Sequence, residues 1–250
     1  MKLFDLAGYL DDYLRVRDVP DDAEAMNGLQ VENGGEVTRV AVAVDACEAV
    51  ILDAVRQRAD LLLVHHGLFW GPRSPVTGRT YRKLAGLVRG GVAVYSAHLP
   101  LDVHPEVGNN AVLARLLGVP VGGTWGDYRG ASIGILGNLA VERDEIVRRI
   151  QQQLGVTPKL IAAGPARTAR IGVITGAGGS MIRQAHAAGI DTFVTGEGAH
   201  HTYFDAEELG VNVFFAGHYA TETVGVRALG EHLAERFALP WTFLDHPTGL

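Results

Sequence analysis

The sequence predicts an α/β protein built from two related halves, and three observations carry that prediction. Short β-rich apolar runs alternate with helical patterns along the chain. Several of those runs are apolar at every consecutive position, as strands covered on both faces are. One strand–helix–strand stretch also recurs 131 positions later. With 250 residues, 47% of them hydrophobic, and a mean hydropathy of +0.12, the chain can bury one large core or two smaller ones, which excludes a disordered protein.

Taken in order, Leu3, Leu6, Tyr9, Leu10, Tyr13 and Leu14 fall at helical spacing and open the chain with an amphipathic helix. Val40–Val44 then reads as a strand, Glu48–Arg58 as a helix, and Leu61–Val64 as a wholly apolar strand bounded by Asp60 and His65. Val92–Tyr95, Ile171–Thr175, Thr192–Thr195 and Val211–Phe215 continue the pattern, so each half is expected to be a three-layer α/β unit with a mostly parallel sheet. Gly118–Gly130, rich in Gly, Pro and Val, reads as a boundary and gives domains over 1–125 and 126–250. Ile133–Leu139, Arg143–Leu154 and Lys159–Ala162 read as strand, helix and strand. This piece, about residues 130–165, either joins the second half or forms a separate insert.

The repeat aligns Arg39–Gly67 with Arg170–Gly198 without a gap, the Arg, Val, Ala and Asp anchors coinciding. A second block, Val94–His98, matches Phe214–His218 at a shift of 120, with Asp102 opposite Glu222. Shared periodicity alone can make two βαβ units look alike. It gives no reason for a histidine and, four residues later, a carboxylate at both strand ends.

Composition removes several function classes. Lys and Arg number 22 against 28 Asp and Glu, a net charge of −6, so no basic field holds a nucleic-acid backbone and a nucleic-acid partner is not expected. Cys47 is the single cysteine, which excludes intrachain disulfides and multi-cysteine zinc sites and leaves His and carboxylates as metal ligands. No run approaches the roughly 18 apolar residues of a membrane span, and acids interrupt the apolar N-terminus, so the chain reads as cytoplasmic.

Ligands in open parallel sheets gather outside the carboxyl ends of strands. Four such ends here carry His65 with His66, His98 with Asp102, Glu197 with His200 and His201, and His218 with Glu222. Adjacent histidines project to different sides, so His65 and His66 suit two ions, and a carboxylate can bridge them. His65, His66, Asp102, His218 and Glu222 are therefore the candidate ligands of a divalent-metal pair, the arrangement by which many hydrolases polarise a substrate oxygen. His98, aligned with His218, reads as a positioning or proton-transfer residue, or as a buried hydrogen-bonded histidine. Glu197, aligned with His66, reads as a general base or as a partner of His200 or His201. Gly176–Ser180 fits no phosphate-loop pattern and reads as a tight strand–helix turn before a phosphate cradle. Phe69, Trp70 and Arg73 read as a site wall that stacks a base, or as an oligomer contact, and Cys47 as a small packing residue.

Leu63-Val-His-His66-Gly67, His98-Leu-Pro-Leu-Asp102 followed by Gly108-Asn-Asn110, Thr195-Gly-Glu197, and Gly217-His-Tyr-Ala-Thr-Glu222 closely resemble the motifs of the Nif-three-like dinuclear metal-centre proteins. Members of that family carry the name GTP cyclohydrolase I type 2 homologue. The resemblance covers nearly the whole chain, in order, and matches the short bacterial form; Gly67 stands where many members have proline. It implies a two-domain protomer in a ring-shaped homohexamer, with two divalent ions per protomer, whether iron, zinc, manganese, cobalt or nickel. Carried over, His66 and Asp102 bind one ion, His65 and His218 the other, and Glu222 bridges. The implied activity is metal-dependent hydrolysis of a nucleotide or related small molecule, in the manner of GTP cyclohydrolase type 2 or of damaged-nucleotide hydrolysis. A non-catalytic, metal-dependent hexameric scaffold or regulatory protein is the alternative. No motif indicates the substrate-binding residues.

Overall fold

A computed structural model describes residues 1–71 and 75–249. The elements follow in the order α1 (Leu3–Tyr13), β1 (Gly28–Val31), β2 (Val40–Asp45), α2 (Glu48–Arg56), β3 (Leu61–His66), α3 (Gly78–Gly90), β4 (Ala93–Ser96), α4 (Leu99–Asp102) and α5 (Asn109–Leu116). The chain continues through β5 (Gly123–Tyr128), β6 (Ala131–Asn138), α6 (Arg143–Leu154), β7 (Lys159–Ala162), β8 (Arg170–Val173) and α7 (Ile182–Ala187). It ends with β9 (Thr192–Thr195), α8 (Thr202–Leu209), β10 (Asn212–Phe215), α9 (His218–Phe237) and β11 (Trp241–Phe243).

The chain forms two compact units. The first is Met1–Leu101 with Val226–His246, and the second is Asp102–Gly225 with the residues from Pro247 on. This division differs from a boundary at residue 126, which lies within β5. The Gly-rich signal there marks a hairpin: Arg129 and Gly130 both have positive φ, 53° and 85°, between the paired residues Tyr128 and Ala131, the geometry of a two-residue turn. Val226–His246 belongs to the first unit because β11 pairs in parallel with β2, and because Gly230 lacks a side chain where Trp241 and Val42 press close.

In the first unit the strand order is β1-β4-β3-β2-β11, parallel throughout except for β1, which runs antiparallel to β4. Val40–Val44 and Leu61–His65 are buried at every position. Successive strand residues face opposite sides, so both faces of this sheet are covered. Val50, Ile51 and Ala54 of α2 and Leu87 of α3 belong to the same core as Leu62, Val64 and Val94. Tyr95 is buried, donates its hydroxyl hydrogen bond to Asp11 (2.8 Å) and so ties β4 to α1; burial and that carboxylate push its pKa up.

The second unit has the order β5-β6-β8-β9-β10-β7. Only β8, β9 and β10 are mutually parallel; β5 and β6 form the hairpin, and β6 and β7 add antiparallel on either side. This sheet is therefore mixed where the sequence predicts a mostly parallel one. The piece at about 130–165 supplies both flanking strands and belongs to this sheet.

The repeat holds at the level of single hydrogen bonds. Asp60 accepts the backbone N–H groups of Thr38 and Arg39 (2.7 and 3.0 Å), and Asp191, 131 positions later, accepts those of Ala169 and Arg170 (3.0 and 2.9 Å). The Asp60 carbonyl accepts from Ala93, and that of Asp191 from Asn212. Strand register pairs Leu61 with Ala93 and Thr192 with Asn212, so the third strands are offset by 119, one less than the alignment of His98 with His218 requires. His98 follows Ala97 directly, whereas Gly217 intervenes between Ala216 and His218. The two histidines are not at equivalent positions.

If these aspartates clamp the strand starts alike, Asp60→Ala and Asp191→Ala should each destabilise by about 1–2 kcal/mol, read as a lowered urea midpoint with unchanged slope.

Candidate metal centre

The first unit brings three imidazoles together at the ends of β3 and β4. His65 is fully buried, and its Nδ1 donates to the carbonyl of Ala97 (2.9 Å). His66, half-buried, has its Nδ1 on Asp45 (2.9 Å), the residue directly across the parallel β2–β3 ladder. His98 has its Nδ1 on Asp21 (2.8 Å), while its backbone N–H donates to Asn27, whose side chain donates in turn to Asp21. Burial works against the Asp21 charge, but the hydrogen bond and charge of His98, with the donation from Asn27, hold its pKa below the usual carboxylate value.

A carbonyl oxygen can only accept, so Nδ1 of His65 carries the proton, and the carboxylates impose the same tautomer on His66 and His98. The neutral rings then have their lone pair at Nε2. One donor atom from each of the three lies within 4.8 Å of the other two, a spacing that can hold a metal ion. His98, which the sequence suggests as a positioning or buried residue, thus joins His65 and His66 in a ligand-type group. Trp70 closes one side, its ring edge-on to His98 at 4.7 Å and to His66 at 6.0 Å.

The second unit assembles a different group. His218 opens α9, and Glu222, buried, follows one helical turn later; Nε2 of His218 lies 3.2 Å from Glu222 Oε1, and its Nδ1 lies 2.8 Å from Glu197 Oε1. The hydrogen bond with Glu222 raises the His218 pKa most; burial opposes it, and Glu197 adds to it, leaving the value at about 9. Glu197 therefore orients His218, and no pairing with His200 or His201 is needed to account for it. Those two histidines are exposed ahead of α8, with His200 edge-on to Phe204.

Gly176 explains the glycine at the end of β8. Its φ is +63°, and a Cβ there would stand 2.2 Å from Glu222 Oε1 and 3.3 Å from His218 Nε2. The Gly176–Ser180 segment is accordingly a tight turn under the His218–Glu222 pair. Asp102 is buried and accepts from Asn109 (2.8 Å) and the Thr175 hydroxyl (3.3 Å); Asn110 accepts the Thr175 N–H and donates to the Ile133 carbonyl. The Asn109–Asn110 pair thus holds Asp102 and the chain leading to Gly176.

Sequence reasoning did not find Asp21, Asn27 or Asp45. Asp45 had a signal, being a carboxylate at a strand end, but its role depends on the register with β3. Gly67 also has a local reason: a Cβ there would strike the amide of Gln30, which accepts from the Leu68 N–H. Cys47 caps α2, its Sγ accepting from Val50 at 3.5 Å. Arg73 lies outside the described residues.

These His and carboxylate groups are set in a fold that other proteins share. A model of the family described as Duf34/NIF3 (NGG1p interacting factor 3) matches residues 1–248. The chain belongs to the DUF34/NIF3 family. Among relatives of this NIF3 member, a "GTP cyclohydrolase 1 type 2 homolog" of Halobacterium salinarum is 46% identical over 256 residues, covering 100% of both chains. One of Deinococcus radiodurans with the same name is 42% identical over 248 residues, covering 98% of this chain and 94% of its own. The solved structure of protein ybgI, of unknown function, superposes with a TM-score of 0.93 at 38% identity, and that of TTHA1606 from Thermus thermophilus with 0.89 at 42%, each covering 100% of both chains. Among the described residues of this NIF3 chain, no helix is long and apolar enough to cross a membrane.

Replacing Gly176 by alanine should displace the Glu222 carboxylate. Adding about 1–2 kcal/mol of left-handed strain, it should lower metal content while far-UV dichroism stays native. The His218 pKa sets a pH dependence. Its folded value lies above the unfolded one, so the metal-free protein has this contribution in full below about pH 6.5 and loses it as pH rises through about 9. Urea unfolding across that range should show the decline, and His218→Asn should flatten it.

Proposed function

We propose that this NIF3-family protein is a dinuclear divalent-metal hydrolase acting on a nucleotide or related small molecule. The observation that carries the reading is that His65 and His66 each commit Nδ1 to an oxygen acceptor, the outer partner by which metal-ligating histidines are held in one tautomer and orientation. The name shared by its relatives supports a nucleotide as the substrate.

In this reading His65, His66, Asp102, His218 and Glu222 would hold the two ions. Imidazole and carboxylate donors suit iron, zinc, manganese, cobalt or nickel. When bound, such a pair supplies Lewis-acid polarisation of a substrate oxygen and a water acidic enough to react at neutral pH. The chain's own residues do the rest. Asp45 and the Ala97 carbonyl keep the tautomers of His66 and His65, and Glu197 orients His218. His98, held by Asp21, exchanges a proton with the substrate at Nε2. The functional form is a cytoplasmic homohexameric ring, and a net charge of −6 per chain gives nucleic acid no part in it.

Glu222→Ala and the near-isosteric Glu222→Gln should lose bound metal and turnover together, read by elemental analysis of protein purified without added metal and by a panel of nucleotides and phosphoesters. Turnover that survives complete metal removal overturns the reading. Full metal content without turnover across the panel would identify the ring as a non-catalytic scaffold.

A further inference from the structure

We propose that a cleft in the first unit, beginning at the residue after His66, is a subsite for a phosphorylated nucleobase, with Arg79 and Lys83 taking the phosphate and Trp70 the base. The idea rests on the nucleotide chemistry proposed above and assigns it a place.

The cleft has a volume of about 1020 Å³, at the upper end of the range typical of small-molecule sites and ample for a nucleotide. One wall is the chain that leaves β3, from Gly67 to Gly71, and the other is the first two turns of α3, with Arg79, Thr80 and Lys83. Among the described lining residues two cations, Arg79 and Lys83, stand against one acid, Glu24, which runs against the net charge of −6. The start of α3 runs against habit as well. It carries Arg79, Arg82 and Lys83 and no acid in its first turn, although the partial positive charge of a helix N-terminus favours acids there. Arg82 is engaged by Glu48 at 2.8 Å, and Lys83 is half-buried with its ammonium fixed on the Ala46 carbonyl at 2.7 Å. Burial lowers the Lys83 pKa, the cost of an ammonium short of solvent. An anion in the cleft offsets that cost and relieves the repulsion between Arg79 and Lys83.

Trp70 makes the cleft and the imidazole group neighbours. Its side chain is exposed in the cleft, with 44% of the residue accessible, yet its ring meets His98 and His66 edge-on. Its backbone is bridged to Ala25, in the Asp21–Asn27 stretch that anchors His98. A base stacked on Trp70 therefore lies beside the imidazoles while its phosphate points along the cleft toward α3. Exposed indoles bind bases through their π-faces with little regard to sequence, and paired cations take phosphate.

Calorimetric titration of the whole, metal-free chain with GMP, guanosine and inorganic phosphate tests this. Arg79→Ala should weaken GMP binding about tenfold and leave guanosine binding unchanged. Trp70→Leu should weaken both GMP and guanosine about tenfold, and inorganic phosphate should compete with GMP in wild type and in Trp70→Leu but not in Arg79→Ala. Arg79 is exposed, so metal uptake and thermal unfolding of Arg79→Ala should match wild type, and a native far-UV dichroism spectrum should report that the fold of Trp70→Leu is intact. Absent GMP binding in wild type, or equal GMP affinity in wild type and both variants, overturns the subsite. Nucleotide turnover by the metal-loaded variants at the wild-type rate overturns the subsite but leaves the hydrolase reading standing. Binding with these losses but no turnover in wild type does the reverse.

Discussion

Each imidazole at the ends of β3 and β4 has one nitrogen committed to an oxygen that the fold holds in place, and the chemistry proposed for this protein depends on that commitment. For His65 the oxygen is the Ala97 carbonyl, and Ala97 itself donates to Val64 in the β3–β4 ladder. For His66 it is Asp45, opposite by register. A slip of one residue between β2 and β3 would turn Asp45 to the other face and release the ring. Asp60 guards against that slip at the far end of the same strands, where it holds the backbone that enters β2. One carboxylate fixes the register and another, at the opposite end, uses it.

The second unit starts from the same strand–helix–strand frame and departs from it by one residue. Gly217 delays the histidine past the strand end, so His218 falls in the first turn of α9 and meets Glu222 one turn on. The close approach is possible because Gly176 presents no side chain beneath the pair, and because Gly196 leaves room for the His218 backbone. The first unit thus offers rings whose Nδ1 atoms are each held on an oxygen. The second offers an imidazole drawn toward its charged form between two carboxylates. A duplicated frame has become two chemically different donors.

Much of this was legible in the sequence. The buried strands declared themselves as unbroken apolar runs, and the Asp anchors of the repeat turned out to be the same clamp in both halves. The histidines and carboxylates at strand ends could be listed from position alone. Their partners could not, because Asp21 lies 77 residues from His98 and Asp45 lies 21 from His66, and only the tertiary register joins them. Short edge strands such as β1 and β11 have few residues and mixed burial, which leaves little periodicity to read. The Gly-rich stretch near residue 126 misled for a local reason, since the composition of a tight hairpin resembles that of a linker.

The return of the chain to β11 has a consequence for biogenesis. Strand β2 is translated before the second unit, yet the strand that pairs with its outer edge, Trp241–Phe243, leaves the ribosome only after it. The nascent first unit carries that open edge through the synthesis of the whole second unit, when unpaired strand edges are most prone to wrong pairing. Loss of the residues from Trp241 on would leave every proposed metal ligand in the sequence, but β2 would have no neighbour on that side.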